Sequence, residues 1–345
     1  MNIYIEPSAK CSVRCLDCHR YFFKSDILHP FLREKNLDFE EDWLENLFDD
    51  YVINNLNLLK ITGLYGDPSE HENLISFVKT IQSRLKEKSK KVILHIETHG
   101  SLQSPDWWNR LAQFIKKNFH KESIIFFAID GINDKIHQIN RKNSILSKVI
   151  KNANAVIETG LKTYCVTIEF EHTENQIKQI EKNVLDFGFT KFKVRKPRNK
   201  AILDNDADRE YENIRKSLEI SNEEADKREI YCSWQKRHNY WINFQGYVFR
   251  CPYHADAANV LIPKNSHAKN TDNFEIETNW KYYKSKYNTG ELSLQNSSFS
   301  VIVNNQFFRD LQRSFTNKVN SSCNPKLKIC AYYCGKKRQI SKNSI

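Results

Sequence analysis

The sequence lacks any run of eighteen apolar residues, which excludes a membrane-spanning helix. Its first residues, Met1-Asn-Ile-Tyr-Ile-Glu-Pro7, lack the basic start and apolar stretch of an export signal. A cytoplasmic protein is therefore expected. There is no strict low-complexity tract and no internal repeat beyond an alternation of strand-like and helical runs. Acid is in deficit: 53 lysines and arginines face 42 carboxylates, for a net charge of +11. A basic balance can signal nucleic acid or another acidic partner. The basic residues are spread along the chain, however. The dense stretches Arg84 to Lys91 and Lys193 to Lys200 read as solvated surface.

A hydrophobic fraction of 40% over 345 residues is enough for a sizeable core, in about two domains. Nine cysteines in a chain without an export signal point to ligands or reactive groups rather than disulfides. They fall into two groups: Cys11, Cys15 and Cys18, then Cys232, Cys251, Cys323, Cys330 and Cys334. Two groups suggest two metal sites. Cys165 stands alone inside the apolar run Tyr164-Cys-Val-Thr-Ile168 and reads as core packing.

Apolar runs predict strands over Asn2 to Glu6, Leu56 to Thr62, Val92 to Glu97, Ile124 to Ile129, Thr163 to Phe170 and Lys191 to Val194. Helical spacing falls between them. Asp38-Phe-Glu-Glu41 has capping-box spacing and predicts a helix to about Asn54. Further helices are expected over His71 to Glu87, after Ser104-Pro105, over Ile145 to Thr159 with Gly160 as the stop, and over Glu174 to Phe187. Repeated strand–helix units imply a parallel sheet with right-handed crossovers. Periodicity alone leaves a partial barrel and an open doubly wound sheet both standing. Asp204-Asn-Asp-Ala-Asp-Arg-Glu210 reads as a solvated linker, and Gln339 to Ile345 as a frayed tail. The last third shows no strong helical period.

Ligands bind at the carboxyl ends of strands in such sheets. The loop after the first strand carries Cys11-Ser-Val-Arg-Cys15-Leu-Asp-Cys18. Cubane clusters and tetrahedral zinc normally take four protein ligands. A loop supplying three thiolates would leave one iron of a four-iron cluster open to a small chelating molecule. A zinc loop completed from elsewhere is the alternative.

This stretch resembles the cluster loop of the radical S-adenosylmethionine (SAM) enzymes. The resemblance implies that the open iron binds the amino and carboxylate groups of SAM. An electron from the cluster then breaks a sulfur–carbon bond and yields a 5′-deoxyadenosyl radical, which takes hydrogen from a substrate. Many members carry an aromatic residue just before the third cysteine, where this chain has Asp17. Gly63-Leu-Tyr-Gly66-Asp67-Pro68 looks like the family's Gly-Gly-Glu-Pro motif, which binds the SAM amino group. Glu97-Thr98-His99-Gly100 resembles its Thr-Asn-Gly segment, with Thr98 in the SAM pocket and His99 in the asparagine place. His99 reads as a surface histidine, a pocket wall or a proton donor. Phe127-Ala-Ile-Asp130-Gly131, followed by His137 and Arg141, is similar to Ser-Ile-Asp-Gly, with Ala128 replacing the serine. Arg141 would pair with the SAM carboxylate or be a surface arginine.

Cys232, the run around Gly246 and Cys251 resemble the start of the SPASM and Twitch extensions: Cys, a spacer, Gly, four residues, Cys. A hairpin turning at Gly246 would bring Cys232 near Cys251. The resemblance implies one auxiliary cluster on Cys232, Cys251, Cys334 and Cys330, with Cys323 as the next candidate. A structural zinc ribbon is the alternative.

The family implies a partial (β/α)6 TIM-like barrel over residues 1–225, charged linker included, and a smaller auxiliary iron–sulfur domain over 226–345. The implied cofactors are a three-cysteine [4Fe-4S] cluster, SAM and an auxiliary [4Fe-4S] cluster. An external flavodoxin- or ferredoxin-type donor would supply electrons. The auxiliary cluster would accept an electron, making the reaction an oxidation, or bind substrate at an open iron. The charge favours an acidic or phosphorylated substrate, and relatives favour peptides. No separate peptide-recognition domain precedes the cysteine loop, which speaks against a ribosomal-peptide maturase. A nucleic-acid-modifying radical SAM protein and a non-catalytic metal-binding module remain as other readings.

Overall fold

The computed structural model describes residues 1–16, 18–21, 28–34, 36–196, 220–255, 282–283 and 289–337. Asp17, the charged segment from Asp204 and the tail from Gln339 lie outside the described residues. Among the described residues, no helix is long and apolar enough to cross a membrane.

The strands in chain order are β1 (Asn2–Ile5), β2 (Arg14–Cys15), β3 (Leu58–Ile61), β4 (Ile93–Thr98), β5 (Ile124–Ala128), β6 (Arg141–Lys142), β7 (Lys162–Ile168), β8 (Lys191–Arg195), β9 (Arg228–Ile230), β10 (Asn239–Ile242), β11 (Val248–Phe249) and β12 (Gly335–Lys337). The main sheet runs β11-β10-β1-β3-β4-β5-β7-β8. Six of these, β1 and β3 to β8 without β6, are the six expected strands, and each pairs parallel with its neighbour. The architecture is a TIM-like partial barrel with helices outside.

Two strands come from the C-terminal third. β10 runs parallel to β1, with Asn2 opposite Asn239 and Ile5 opposite Ile242. β11 closes the edge antiparallel to β10. The turn between them uses Gly246 at φ +76°, a left-handed conformation that favours glycine. A side chain there would also strike the Trp43 ring.

Side chains alternate across each strand. Ile3, Ile5, Leu59, Ile61, Leu94, Ile96, Ile125 and Phe127 point outward and are buried. They meet α3 (Leu74–Leu85), α4 (Pro105–Asn118), α6 (Leu146–Ile157) and α8 (Ile177–Asp186). Each fully buried side chain of this size contributes about 1.5–3 kcal/mol, so this layer dominates the fold's stability. Cys165 belongs to it. α4 begins as expected, with Ser104 capping the Trp107 amide and Pro105 at the first position.

One helix differs from expectation. Asp38 opens no helix; it sits opposite Ser8 in a β-bridge and takes the Lys10 ammonium at 2.7 Å. The charge of Lys10 and a strand partner outcompete the local cap. The segment forms α1 (Trp43–Leu47) and α2 (Asp50–Asn55), because Asp49 recaps the chain by accepting the Val52 amide. The C-terminal third also contains helices at Phe299–Val303, Gln306–Arg313 and Lys328–Cys334.

Candidate active site

The loop after β1 holds Cys11, Cys15 and Cys18, all half-buried. It is fastened on two sides. Cys15 lies in β2, which pairs antiparallel with β6, so Cys15 stands opposite Arg141. Lys10 accepts the Asp67 amide at 3.0 Å, which joins the loop to the glycine turn after β3. That turn presses against the chain: a Cβ on Gly66 would overlap the backbone of Ser8 and Ala9. Gly66 is thus required for the approach itself.

Asp67 is buried, and its carboxylate is engaged by protein donors. Oδ1 accepts from the Ser69 amide at 2.9 Å, the Ser69 hydroxyl at 2.6 Å and the Thr98 hydroxyl at 2.8 Å, and Oδ2 accepts from the His99 amide at 2.7 Å. Asp67 and Thr98 therefore lock the loops after β3 and β4 together. Pro68 is buried at the start of the short 3-10 turn Pro68–Glu70.

His99 is buried rather than on the surface. Its Nε2 lies 3.4 Å from Glu70 Oε1, and the ligand atoms of Cys11, Glu70 and His99 fall within 4.8 Å of one another. Burial disfavours the imidazolium, but Asp67, Cys11 and Glu70 prevail and raise His99 to about 10. Burial also opposes ionisation of Glu70, yet His99 and Ser12 bring it down to about 2. Glu70 accepts the Ser12 amide at 2.7 Å and so holds the cysteine loop.

Asp130, at the end of β5, is fully buried. Oδ2 accepts from Arg141 Nε at 2.6 Å and Asn140 Nδ2 at 2.7 Å, and Oδ1 accepts from the Ile168 amide at 2.7 Å. The guanidinium of Arg141 reaches Cys15 Sγ at 3.5 Å. Burial disfavours its charge, but Asp130 and Cys15 hold it protonated. Arg141 is thus a buried cation set against the cysteine loop, not a surface arginine. His137 accepts the Asp130 amide on Nδ1, and burial with Arg141 lowers it to about 4.

Cys232, Cys251, Cys330 and Cys334 line one cavity with Trp234, Tyr253, His254 and Tyr333. Their meeting follows from the local structure. Cys330 and Cys334 are four residues apart on one helix, hence on one face. β9 pairs antiparallel with β12, and the Tyr231 amide donates to the Cys334 carbonyl at 2.9 Å, which sets Cys232 beside Cys334. A hydrogen bond from Cys334 holds the Cys232 thiol down to about 6. Burial pushes Cys251 up to about 12 and raises Cys330 well above the ordinary thiol range. His254 Nε2 lies 3.2 Å from Cys330 Sγ. Cys323 is exposed and does not line this cavity.

The donor chemistry suits soft metals at both places. The cavity offers four sulfurs and no carboxylate, a set for iron–sulfur clusters or zinc. Three residues here escape sequence reading: Glu6, Glu70 and His254. Glu6, buried at the end of β1, accepts the Leu64, Tyr65 and Gly66 amides at 2.7, 2.6 and 3.1 Å, and so shapes the glycine turn. Burial raises it to about 7. His254 had a signal in the spacing Cys251-Pro-Tyr-His254, a ligand-like interval.

No family model and no curated protein matches the chain. Solved structures match its fold. Native anSMEcpe with bound AdoMet superposes with a TM-score of 0.53 at 14% identity, covering 96% of this chain and 94% of that one. The anSMEcpe complex with AdoMet and the Cp18Cys peptide gives 0.52 at 16% identity, with the same coverage. Streptococcus suis SuiB bound to precursor peptide SuiA gives 0.50 at 13% identity, covering 79% of this chain and 64% of that one. The chain therefore has the fold of the radical SAM enzymes, and the likeness to anSMEcpe runs through its C-terminal region.

Proposed function

We propose that the chain is a radical SAM enzyme with one auxiliary cluster. The observation that carries the reading is the meeting, at the carboxyl end of one parallel sheet, of Cys11, Cys15, the Gly66–Asp67 turn and Arg141. Cys11, Cys15 and Cys18 would hold a four-iron cluster with SAM, and Cys232, Cys251, Cys330 and Cys334 the auxiliary cluster. When bound, the three-cysteine cluster would pass on the donor's electron that cleaves SAM to a 5′-deoxyadenosyl radical, which would abstract hydrogen from the substrate.

The protein's share is positioning. Gly66 brings backbone against the cysteine loop. Asp67 and Thr98 fix the walls around it. Asp130 holds Arg141 beside Cys15, where a buried cation favours added negative charge. Four thiols around one cavity support full ligation by protein, hence an electron-accepting role and a net oxidation rather than substrate binding at an open iron. We assign residues 1–225 to the core and 226–345 to the auxiliary domain, a cytoplasmic setting, and an external flavodoxin- or ferredoxin-type donor. The peptides carried by anSMEcpe and SuiB favour a peptide as substrate.

The test is anaerobic: reconstitute the protein with iron and sulfide, reduce it, add SAM, and assay 5′-deoxyadenosine while counting iron. About eight irons per chain, four per cubane, with deoxyadenosine formed, is the expected result. No deoxyadenosine, with Cys15→Ala indistinguishable from the parent, refutes the reading.

A further inference from the structure

The inner face of the sheet carries charges of one sign in excess. Opposite the outward core, Tyr4, Lys60, His95, Glu97, Phe126, Tyr164, Lys193, Arg195 and Trp241 occupy the alternate positions on their strands. They touch around the barrel: Lys60 lies over the Tyr4 ring, and the rings of His95, Phe126 and Tyr164 pack in succession. Three cations, Lys60, Lys193 and Arg195, meet one carboxylate here. Glu97 takes both Lys60, at 2.7 Å, and Arg195, at 2.5 Å. Burial opposes its ionisation, but those two cations hold it near 2, so its charge is already spent.

Lys193 has no carboxylate within ion-pair distance among the described residues. Its ammonium instead lies 5.0 Å from the Phe126 ring centre and 5.1 Å from that of Tyr164. Burial, Lys191, Arg195 and Lys60 lower its pKa and outweigh the opposing effect of Glu97, whose carboxylate is already paired with Lys60 and Arg195. His95 adds no balancing charge; burial and Lys60 hold it near 4 and neutral. An independent observation points the same way. Trp241 is 5% exposed, packed among Tyr4 and Trp234, and its indole N–H finds no acceptor among the described residues. A buried donor without an acceptor is costly, and a partly buried ammonium with no carboxylate partner is unfavourable too. Both costs vanish if a ligand brings an anionic group with acceptor oxygens. Aromatic walls add a surface for a flat or apolar portion.

We propose that the barrel lumen binds its ligand through an anionic group, a phosphomonoester or a carboxylate, held by Lys193 and Lys60 and flanked by the aromatic wall. That this ligand is the substrate rests on the radical SAM reading; the binding itself does not. The test is calorimetric titration of the full reconstituted chain under excess SAM with phenyl phosphate, benzoate and the neutral benzyl alcohol. Saturable binding of phenyl phosphate or benzoate, but not of benzyl alcohol, is expected. A preference between the two anions identifies the source of the charge. Lys193→Met should weaken the binding by about tenfold or more, the worth of one charged hydrogen bond, and Lys193→Arg should restore it.

Equal binding of all three probes overturns the proposal. So does undiminished anion binding by a Lys193→Met protein that melts like the parent, or displacement of the anions by SAM, which would give these cations to SAM. The deoxyadenosine assay on the unaltered chain separates the two claims. Deoxyadenosine without anion binding removes this inference alone, and anion binding without deoxyadenosine removes the radical SAM reading alone.

Discussion

Cys11, Cys15 and Cys18 sit on one short loop, half-buried, with Arg141 against Cys15. Cys232, Cys251, Cys330 and Cys334 come from three separate segments and share one cavity with a histidine. The first site is local in sequence and braced from outside by Glu70 and Arg141. The second is assembled by the fold, and its cysteines stand where β9 meets β12. On the proposed reading, three sulfurs would leave room on a four-iron cluster for a ligand that is not protein, whereas four would close the coordination sphere: the loop would admit a molecule and the cavity keep one out.

The sharpest way to break this comparison is to remove one cysteine from each site. Cys15→Ala and Cys330→Ala should each lower iron from about eight to about four per chain. Only Cys15→Ala should bring deoxyadenosine to background, read by chromatography after anaerobic turnover. Equal loss in both would mean that the two sites work as one unit. Next in size is the bracing of the loop. Asp130→Ala leaves Arg141 buried without its carboxylate and should cost about 3–5 kcal/mol in urea unfolding. A loss under about 1 kcal/mol would mean that the pair behaves as a solvent-exposed one.

The glycine turn offers a pH test. Glu6 has a folded pKa of about 7 against 4.5 as its reference, so the folded state favours its protonated form. Its contribution is fully present below pH 4.5 and is lost as pH rises through 7. Relative to the parent, Glu6→Gln should flatten a decline of up to about 3 kcal/mol across that window, at about 1.36 kcal/mol per unit. A parent whose stability rises from pH 4.5 to 7 in step with Glu6→Gln would refute this. The smallest effect concerns His254. A hydrogen bond to a cluster sulfur raises its reduction potential. His254→Phe should lower the midpoint potential of the second site in a redox titration, and an unchanged value would remove the Cys330 bond from the account.

Much of the first site is legible because its information is local. Six apolar runs mark the strands, and loops rich in glycine, cysteine or carboxylate after the first four mark ligand positions. What local reading misses is set by partners distant in sequence. Asp38 has a good capping sequence, but Lys10 and Ser8 claim it. Glu6 looks like the polar end of a strand until Leu64, Tyr65 and Gly66 deliver three amides to it. Lys193 lies in a basic stretch that reads as solvated surface, yet its alternation with Phe192 and Val194 on β8 turns it inward, on the same face as Arg195. Cys330 and Cys334 announce one helix face, but nothing in sequence says which other cysteines that face will meet.

The pairing of β1 with β10 has a consequence for synthesis. β1 leaves the ribosome well ahead of one of its two neighbours, which follows 237 residues later. At about 5–20 residues per second the wait is roughly ten to fifty seconds. Throughout that interval one edge of β1 offers unpaired amides and carbonyls to any passing strand. The C-terminal third is therefore the clasp of the barrel, and a nascent chain stalled before residue 239 is a candidate for chaperone capture.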